Sequence, residues 1–239
     1  MGHLLLVRHG QASFLEQNYD KLSQKGEAQA RLLGEHWASR RFTFDRVFSG
    51  PRIRQQETAR IVGDAYNAAG LPWPALELLP EFDEFQAEAV IERSLPGLID
   101  SDSHVRGLYQ EFEKAEGQVA RFKTFQHLFE VIVGRWAGGE LPIEGIEPWQ
   151  TFCERVQRGL SQLSQNGNRG KQIAIFTSGG PTGVAMQRAL RLNTEATLRS
   201  AWMVPNSAYS VFLFSGDRFT LSSYNAYPHI TDRDFLTYR

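Results

Sequence analysis

Three short apolar runs in the sequence each end in a turn that contains glycine. They lie at residues 4–7, 47–48 and 173–176, and polar or glycine residues follow each of them closely. Continuous apolar runs of this length are typical of strands that are buried on both faces of a parallel sheet. After each run, apolar residues recur at helical spacing, and Ser23 is a candidate N-cap for the first of these helices. This repeated alternation of strand, turn and helix predicts an α/β fold.

The C-terminal part of the chain predicts a different kind of pairing. Residues 209–214 and 219–221 are rich in apolar side chains and flank the turn sequence Ser215-Gly216-Asp217, which favours a β-hairpin. We therefore expect a three-layer α/β/α sandwich whose sheet is mostly parallel and has an antiparallel edge.

The middle of the chain has a different character. From residue 86 to residue 146, apolar positions are scattered among charges and no strand pattern is visible. We interpret residues 86–146 as a mostly helical cap, inserted into a single domain that spans residues 1–239 and covering its functional pocket. Residues 100–104 combine two aspartates with a histidine, but they favour a polar turn with helix N-caps because nothing nearby completes a metal-ligand set.

Composition and charge exclude several classes of function. The chain has 239 residues, and its 26 Lys and Arg against 27 Asp and Glu give a net charge of -1. This balance removes the electrostatic argument for a general nucleic-acid or anionic-membrane binder. The single cysteine, Cys153, excludes an internal disulfide framework and indicates a reducing compartment. No segment approaches the roughly 18 consecutive apolar residues that a membrane span needs, and no export signal is visible. We therefore expect a soluble, cytoplasmic protein; the sequence does not indicate its oligomeric state.

The ends of the three predicted strands carry basic and glycine residues. Ligands of open α/β sheets bind beyond the carboxyl ends of the strands, so these residues are expected to meet in one pocket. They are Arg8, His9 and Gly10 after the first strand, Arg52 and Arg54 after the second, and Ser178, Gly179 and Gly180 after the third. Guanidinium groups bind phosphoryl oxygens in pairs, and an imidazole can act as a nucleophile toward phosphorus. The pattern indicates phosphoryl transfer without a metal ion or an organic cofactor.

Several segments also carry a family resemblance. The segment Leu5-Leu6-Val7-Arg8-His9-Gly10-Gln11 resembles the RHG signature of the histidine phosphatase superfamily, which includes cofactor-dependent phosphoglycerate mutases and many small phosphatases. Residues 20–34 resemble the family segment D-x-L-S-x-x-G-x-x-Q-A-x-x-L-G, and residues 49–59 resemble S-x-P-x-x-R-A-x-Q-T-A. Residues 79–85 resemble the region that supplies the proton donor, and residues 205–207 with Asn225 and His229 match the C-terminal landmarks.

The resemblance implies a role for each matching residue. His9 would be the nucleophile that becomes phosphohistidine, while Arg8 and Arg54 would hold the phosphoryl oxygens. Glu81 would protonate the leaving oxygen, and Glu84 is its rival for that role. The phosphate would be bound by Arg8, Arg54, Ser178, Gly179 and Gly10. Further candidates are Gln11, Arg52 and His229, although Arg52 is also explained by an exposed helix face.

One departure from the family pattern matters more than the agreements. Where the family usually has S-H-G-G, with a second histidine that donates to the phosphoryl group, this chain has Thr177-Ser178-Gly179-Gly180. A serine hydroxyl carries no positive charge, and the loss of one aligned donor costs about 100-fold to 1,000-fold in rate. Three outcomes stay open: a slower phosphatase, a phosphatase that recruits another cation, and a phosphate-binding protein with little turnover. The cation would come from His229, His104 or Arg52. Ser178→His should raise turnover if the remaining geometry is ready for a histidine.

The function that these residues favour is hydrolysis of a phosphomonoester through a phosphohistidine on His9. The alternative from another class is a phospho-ligand-binding pseudoenzyme, which Ser178 motivates. A third hypothesis is a phosphotransferase of the phosphoglycerate mutase type, for which the sequence shows no required feature. Under all three hypotheses the ligand is a small phosphorylated substrate or inorganic phosphate.

Overall fold

A mixed sheet is the frame of the structure. The computed structural model describes residues 1–13, 20–165 and 167–238, and within these ranges six strands form one sheet. In chain order the strands are β1 (Gly2–Arg8), β2 (Arg46–Ser49), β3 (Leu76–Leu78), β4 (Gln172–Thr177), β5 (Tyr209–Ser215) and β6 (Arg218–Ala226). Their order across the sheet is β3-β2-β4-β1-β5-β6. The first four strands pair in parallel, and β5 is antiparallel to both β1 and β6. The predicted mostly parallel sheet with an antiparallel edge is confirmed.

Eight α-helices are described within the same ranges. They are α1 (Gln24–Ser39), α2 (Ile53–Ala68), α3 (Ala87–Ser101), α4 (Ser103–Lys114), α5 (Gln118–Ala137), α6 (Trp149–Gln165), α7 (Gly179–Leu190) and α8 (Thr194–Trp202). Short 3-10 turns lie at Pro80–Phe82 and Arg233–Phe235. None of the described helices is long and apolar enough to cross a membrane.

One face of the sheet is covered by α1 and α2. Leu5 and Val7 of β1 belong to a buried cluster that also contains Leu33 and Trp37 of α1 and Val62 of α2. Side chains of a strand alternate between its faces, so Leu5 and Val7 point to the same side. The helical spacing of the apolar residues in α1 therefore produces the face that packs on the sheet.

The opposite face of the sheet is buried as well. Leu4 of β1 is fully buried, and its partner on β5 is the equally buried Phe212. Helix α7 packs against β1 and β6 on this side, where the guanidinium of Arg188 lies 5.0 Å from the centre of the Phe219 ring. Burial on both faces explains the continuous apolar run at residues 4–7, and the three-layer arrangement is confirmed.

Two glycines let the start of α1 approach the loop that follows β1. Ser23 is the N-cap of α1, as predicted, and its hydroxyl accepts a hydrogen bond from the Gly26 N–H at 3.1 Å. A Cβ on Gly26 would lie 2.1 Å from the Gln11 carbonyl oxygen, and one on Gly10 would lie 2.3 Å from the Gly26 carbonyl oxygen. Both positions require glycine because backbone meets backbone there.

The chain divides into two compact units. The first contains Met1–Glu84 and Arg155–Arg239 and includes the whole sheet, and the second is Phe85–Glu154. The described regular structure of the second unit is entirely helical. Its own core contains Phe85, Trp136 and Trp149, whose ring centroids are 5.5 Å, 5.9 Å and 5.8 Å apart. Asp102 caps α4, as the polar turn at residues 100–104 predicted. That this helical unit covers the pocket stays a prediction.

The contact between Gly26 and Gln11 generates a stability prediction. Gly26→Ala should lower the free energy of unfolding by about 1–3 kcal/mol because the added methyl group meets backbone that cannot move aside. Gly107→Ala is the matched control, since Gly107 also lies in a helix and has no atom within 4 Å of an added Cβ. That control should raise stability by up to about 1 kcal/mol. Urea denaturation of both variants measures the difference, and a gain in stability for Gly26→Ala would contradict the packing argument.

Candidate active site

The candidate site begins where β1 and β4 end side by side. The two strands pair in parallel up to Arg8 and Thr177, and the His9 N–H donates to the Thr177 carbonyl at 2.9 Å. His9 and Ser178 therefore leave the sheet at the same edge. Residues of α2 approach this edge from β2, which pairs with β4 on its other side.

The imidazole of His9 is held in one tautomer. The His9 residue is buried, with 5% of its surface exposed. Arg54 Nε lies 3.1 Å from His9 Nε2, and a guanidinium nitrogen can only donate, so Nε2 carries the lone pair. The proton is therefore on Nδ1, which donates to the Gly10 carbonyl at 2.7 Å. Burial lowers the pKa of His9 well below its usual value, and the charges of Arg54, Arg8 and Arg52 lower it further.

Arg54 is positioned by a carboxylate that the sequence pattern did not mark as a site residue. Asp20 Oδ1 accepts from Arg54 Nη1 at 2.9 Å, and Asp20 Oδ2 accepts from the Ile53 N–H at the start of α2 at 2.9 Å. One carboxylate thus holds both the helix terminus and the guanidinium. The signal in the sequence is the aspartate that opens the D-x-L-S segment of the family pattern.

Arg8 and the segment after α8 hold the backbone around His9. Arg8 Nη1 donates to the carbonyl of Val204. Asn206 Nδ2 and the Ser207 N–H both donate to the His9 carbonyl at 3.2 Å. His229 is buried and lies 2.7 Å from the Ser207 hydroxyl through Nε2, and burial lowers its pKa to about 3. The structure therefore places His229 behind this backbone segment, where it supports Ser207.

The serine that stands in place of the family's second histidine is tied to Gln55. Ser178 is 1% exposed and is the N-cap residue of α7. Gln55 Nε2 donates to Ser178 Oγ at 2.8 Å and to the Phe82 carbonyl at 3.4 Å. Gln55 Oε1 accepts from the Arg52 N–H at 3.1 Å. In the family pattern S-x-P-x-x-R-A-x-Q-T-A the residue after the arginine is alanine and the ninth is glutamine, so Gln55 and Glu57 also depart from the pattern. Of these two residues, Gln55 is the one that contacts Ser178.

The two candidate proton donors have different neighbours. Glu84 Oε2 accepts from the Gly180 N–H at the start of α7 at 3.0 Å. Glu81 instead lies against α6, where a Cβ on Gly159 would be 2.8 Å from Glu81 Cβ. Within the described ranges the Glu81 carboxylate makes no hydrogen bond. The geometry thus joins Glu84, rather than Glu81, to the helix terminus that contains Ser178.

Arg52 is directed into the site by Asp83. Arg52 Nε donates to Asp83 Oδ1 at 2.5 Å, and Arg52 Nη2 donates to the Glu84 carbonyl at 3.4 Å. Burial lowers the pKa of Arg52, but the hydrogen bond and charge of Asp83, together with the charges of Glu84 and Asp20, more than offset this effect and the pKa is raised. The charge of Arg52 is near enough to His9 to lower the pKa of the imidazole. Arg52 is therefore held beside the candidate site by Asp83, with part of its side chain exposed.

The remaining predicted residues serve the packing of the site. The Gly10 N–H donates to Thr58 Oγ1 at 3.1 Å, and a Cβ on Gly179 would lie 2.7 Å from the Ala201 carbonyl oxygen. Gln11 Oε1 accepts from the Ser23 hydroxyl at 3.1 Å. In the described part of the chain no group of three or more His, Cys, Asp or Glu side chains is arranged to hold a metal ion.

Comparison with known families identifies this arrangement. The model of the histidine phosphatase superfamily (branch 1) matches residues 4–97 and 110–227. The chain belongs to the histidine phosphatase superfamily. The match includes β1 with His9 and β4 with Ser178, and it confirms the resemblance that the motifs indicated. A comparison of the chain with the curated proteins finds no match.

Solved structures of low sequence identity share the fold of this member of the superfamily. The alpha-ribazole phosphatase from Shigella flexneri is 20% identical with a TM-score of 0.61, covering 94% of this chain and 96% of that one. A phosphoserine phosphatase mutant from Entamoeba histolytica, in complex with phosphoserine, is 20% identical with a TM-score of 0.60, covering 96% and 100%. A phosphoglycerate mutase from Bacillus anthracis is 16% identical with a TM-score of 0.60, covering 96% and 95%.

The tautomer and charge of His9 can be measured directly. In protein labelled with ¹⁵N in histidine, the His9 imidazole should stay in the neutral Nδ1–H form at about pH 6, where an unperturbed imidazole is mostly protonated. Arg54→Gln should raise the pKa of His9 because it removes a nearby positive charge. Arg60→Gln is the control, since Arg60 is exposed on the same helix and pairs with Glu57 and Asp64. A His9 that titrates near pH 6.5 in the unaltered protein would contradict this description of the site.

Proposed function

We propose that this histidine phosphatase hydrolyses a phosphomonoester through a phosphohistidine on His9. The observation that carries the proposal is the buried, neutral His9 imidazole, whose Nε2 lone pair faces Arg54 and whose Nδ1–H is held by the Gly10 carbonyl. A lowered pKa keeps this nitrogen unprotonated at neutral pH and therefore nucleophilic. When a phosphoryl group enters, Arg54 Nε turns from Nε2 to a phosphoryl oxygen and releases the lone pair.

The reaction has two steps. In the first, Nε2 forms a bond to phosphorus, the ester P–O bond breaks, and its electron pair leaves with the oxygen, which takes a proton from a carboxyl group. In the second, water attacks phosphorus and gives a proton to the same carboxylate, while the N–P electron pair returns to Nε2 and inorganic phosphate leaves. Arg8 and Arg54 would stabilise the charge on the equatorial oxygens, and the Gly10 carbonyl would stabilise the positive imidazole of the intermediate. No metal ion or organic cofactor takes part in this proposal.

We assign the proton transfer to Glu84 in place of Glu81. The contact between Glu84 Oε2 and the Gly180 N–H supports this assignment, because it places the carboxyl group at the helix terminus that begins with Ser178. Glu81 packs its aliphatic carbons on Gly159 of α6. A general acid must lie within hydrogen-bond reach of the oxygen that it protonates, directly or through one water.

The proposed substrate is a small phosphorylated molecule. One solved neighbour of the same fold binds phosphoserine, which is a molecule of this class. A helical unit that covers the pocket, as the sequence predicts, would also restrict the substrate to small molecules. The reducing, cytoplasmic location stays a prediction.

The first test of the proposed function is the hydrolysis of an aryl phosphate in the presence of a metal chelator. His9→Ala should abolish turnover because it removes the nucleophile. His3→Ala is the control, since His3 is exposed near the start of β1, at the opposite end of the strand from His9. Since the pKa of His9 is lowered, protonation of the nucleophile should reduce kcat/KM only below about pH 6.5. Turnover that persists in His9→Ala would exclude the phosphohistidine mechanism. Phosphate binding without turnover in the unaltered protein would favour the phospho-ligand binder.

A second test decides between the two carboxylates. Glu84→Gln should lower kcat about 100-fold for an alkyl phosphate, whose leaving oxygen needs a proton, and much less for a nitrophenyl phosphate. Glu81→Gln should change both rates less than about threefold, as expected for a side chain that takes no part in proton transfer. If the leaving-group dependence appears in Glu81→Gln and not in Glu84→Gln, the role returns to Glu81.

A further inference from the structure

The family's second histidine supplies two things that Ser178 alone cannot supply together. A protonated imidazole offers an N–H donor to the phosphoryl group and also a positive charge. Serine offers a donor without charge. The contacts around Ser178 and Arg52 show where this chain can obtain each of them.

The hydroxyl proton of Ser178 is available as a donor. Gln55 Nε2 donates one proton to Ser178 Oγ and the other to the Phe82 carbonyl. Gln55 Oε1 accepts from the Arg52 N–H. A hydroxyl that accepts from Gln55 must direct its own proton elsewhere, and this proton has no acceptor among the described residues. Gln55 is itself fully buried and therefore holds the serine in one orientation.

The positive charge is available from Arg52. Arg52 Nε donates a hydrogen bond to Asp83, and Arg52 Nη2 donates one to the Glu84 carbonyl, so the guanidinium is held in one orientation. Its Nη1 donates to no residue in the described ranges, and 30% of the side chain is exposed, so a ligand can reach it. Arg52 stands two residues before Arg54 at the start of α2, and both guanidinium groups act electrostatically on His9.

We propose that Ser178 and Arg52 together replace the missing histidine, one as hydrogen-bond donor and the other as positive charge. The Ser178 hydroxyl donates to one phosphoryl oxygen, and Arg52 Nη1 supplies the positive charge to the same phosphoryl group. Gln55 and Asp83 are positioning residues, because they orient Ser178 and Arg52 without touching the substrate. This inference rests on the proposed binding of a phosphoryl group at His9.

The arrangement also changes what the restoration of a histidine should do. The Gln55 amide is in contact with Ser178 Oγ, so a histidine ring at position 178 would collide with a fully buried side chain. Ser178→His alone should therefore give no gain in turnover. In the double variant Gln55→Ala, Ser178→His, the smaller alanine at position 55 leaves room for the larger histidine at position 178. We therefore expect the histidine to act in this background.

The decisive experiment measures the effect of Arg52→Gln in two backgrounds. In the unaltered protein Arg52→Gln should lower kcat/KM for an aryl phosphate about 100-fold, as expected for the loss of a charged transition-state donor. In the Gln55→Ala, Ser178→His background the same change should cost less than about fivefold, because the histidine again supplies the charge. An equal loss in both backgrounds, or no loss in the first, overturns the proposal. Arg60→Gln, which removes an exposed charge from the same helix, should leave kcat/KM unchanged in both.

A second readout separates this inference from the phosphatase proposal. Binding of inorganic phosphate, measured by titration calorimetry, should weaken about tenfold in Arg52→Gln and stay unchanged in Arg60→Gln. If no protein turns over but this difference appears, the phosphatase proposal fails while the role of Arg52 in phosphate binding holds. Phosphate affinity that does not depend on Arg52, or the absence of phosphate binding, overturns the inference.

Two further variants keep the test valid if Arg52→Gln does not fold. Arg52→Lys keeps the charge and should retain more activity than Arg52→Gln. Asp83→Asn removes the carboxylate that orients the guanidinium and should lower kcat/KM about tenfold with little change in KM. An Asp83→Asn protein with the thermal midpoint and kcat/KM of the unaltered protein would show that Arg52 needs no positioning and would overturn that part of the proposal.

Discussion

The parallel ladder between β1 and β4 is the constraint on which the site depends. It ends with the pairing of Arg8 and Thr177 and with the hydrogen bond from the His9 N–H to the Thr177 carbonyl. Because both strands run in the same direction, the residues that follow them leave the sheet at one edge. The imidazole of His9 and the start of α7 meet there. A shift of one residue in this register would turn alternate side chains to the opposite face and separate them.

The concentration of positive charge at this edge is stabilised by carboxylates in specific positions. Asp20 accepts hydrogen bonds from the Arg54 guanidinium and from the Ile53 N–H. Asp83 accepts hydrogen bonds from the Arg52 guanidinium and from the Glu84 N–H. Buried charges are costly unless they are paired and hydrogen-bonded. The carboxylates therefore allow several guanidinium groups to lie near one neutral imidazole. Burial of the imidazole lowers the pKa of His9 most, and these guanidinium groups lower it further. They also account for the affinity for a dianion that the site should have.

Most of the fold follows from local patterns in the sequence. The apolar runs at residues 4–7, 47–48 and 173–176 lie in β1, β2 and β4, since burial on both faces of a sheet requires an uninterrupted apolar run. The hairpin of β5 and β6 was visible from its turn residues. Strand β3 was not predicted, because it has three residues and both of its leucines are exposed.

The sequence by itself determined which residues stand at the strand ends. The RHG motif identified Arg8 and His9, the segment at residues 49–59 identified Arg54, and comparison with S-H-G-G showed the departure at Ser178. Tertiary structure decided which of the neighbouring side chains serve the site. The family pattern favoured Glu81 over Glu84 as the proton donor, whereas in the structure Glu84 accepts from the Gly180 N–H of α7 and the Glu81 Cβ packs near Gly159 of α6. Gln55 reaches Ser178 across a separation of 123 residues. Periodicity reports the environment of a residue along its own element, whereas contacts between distant elements depend on packing, which no local pattern contains.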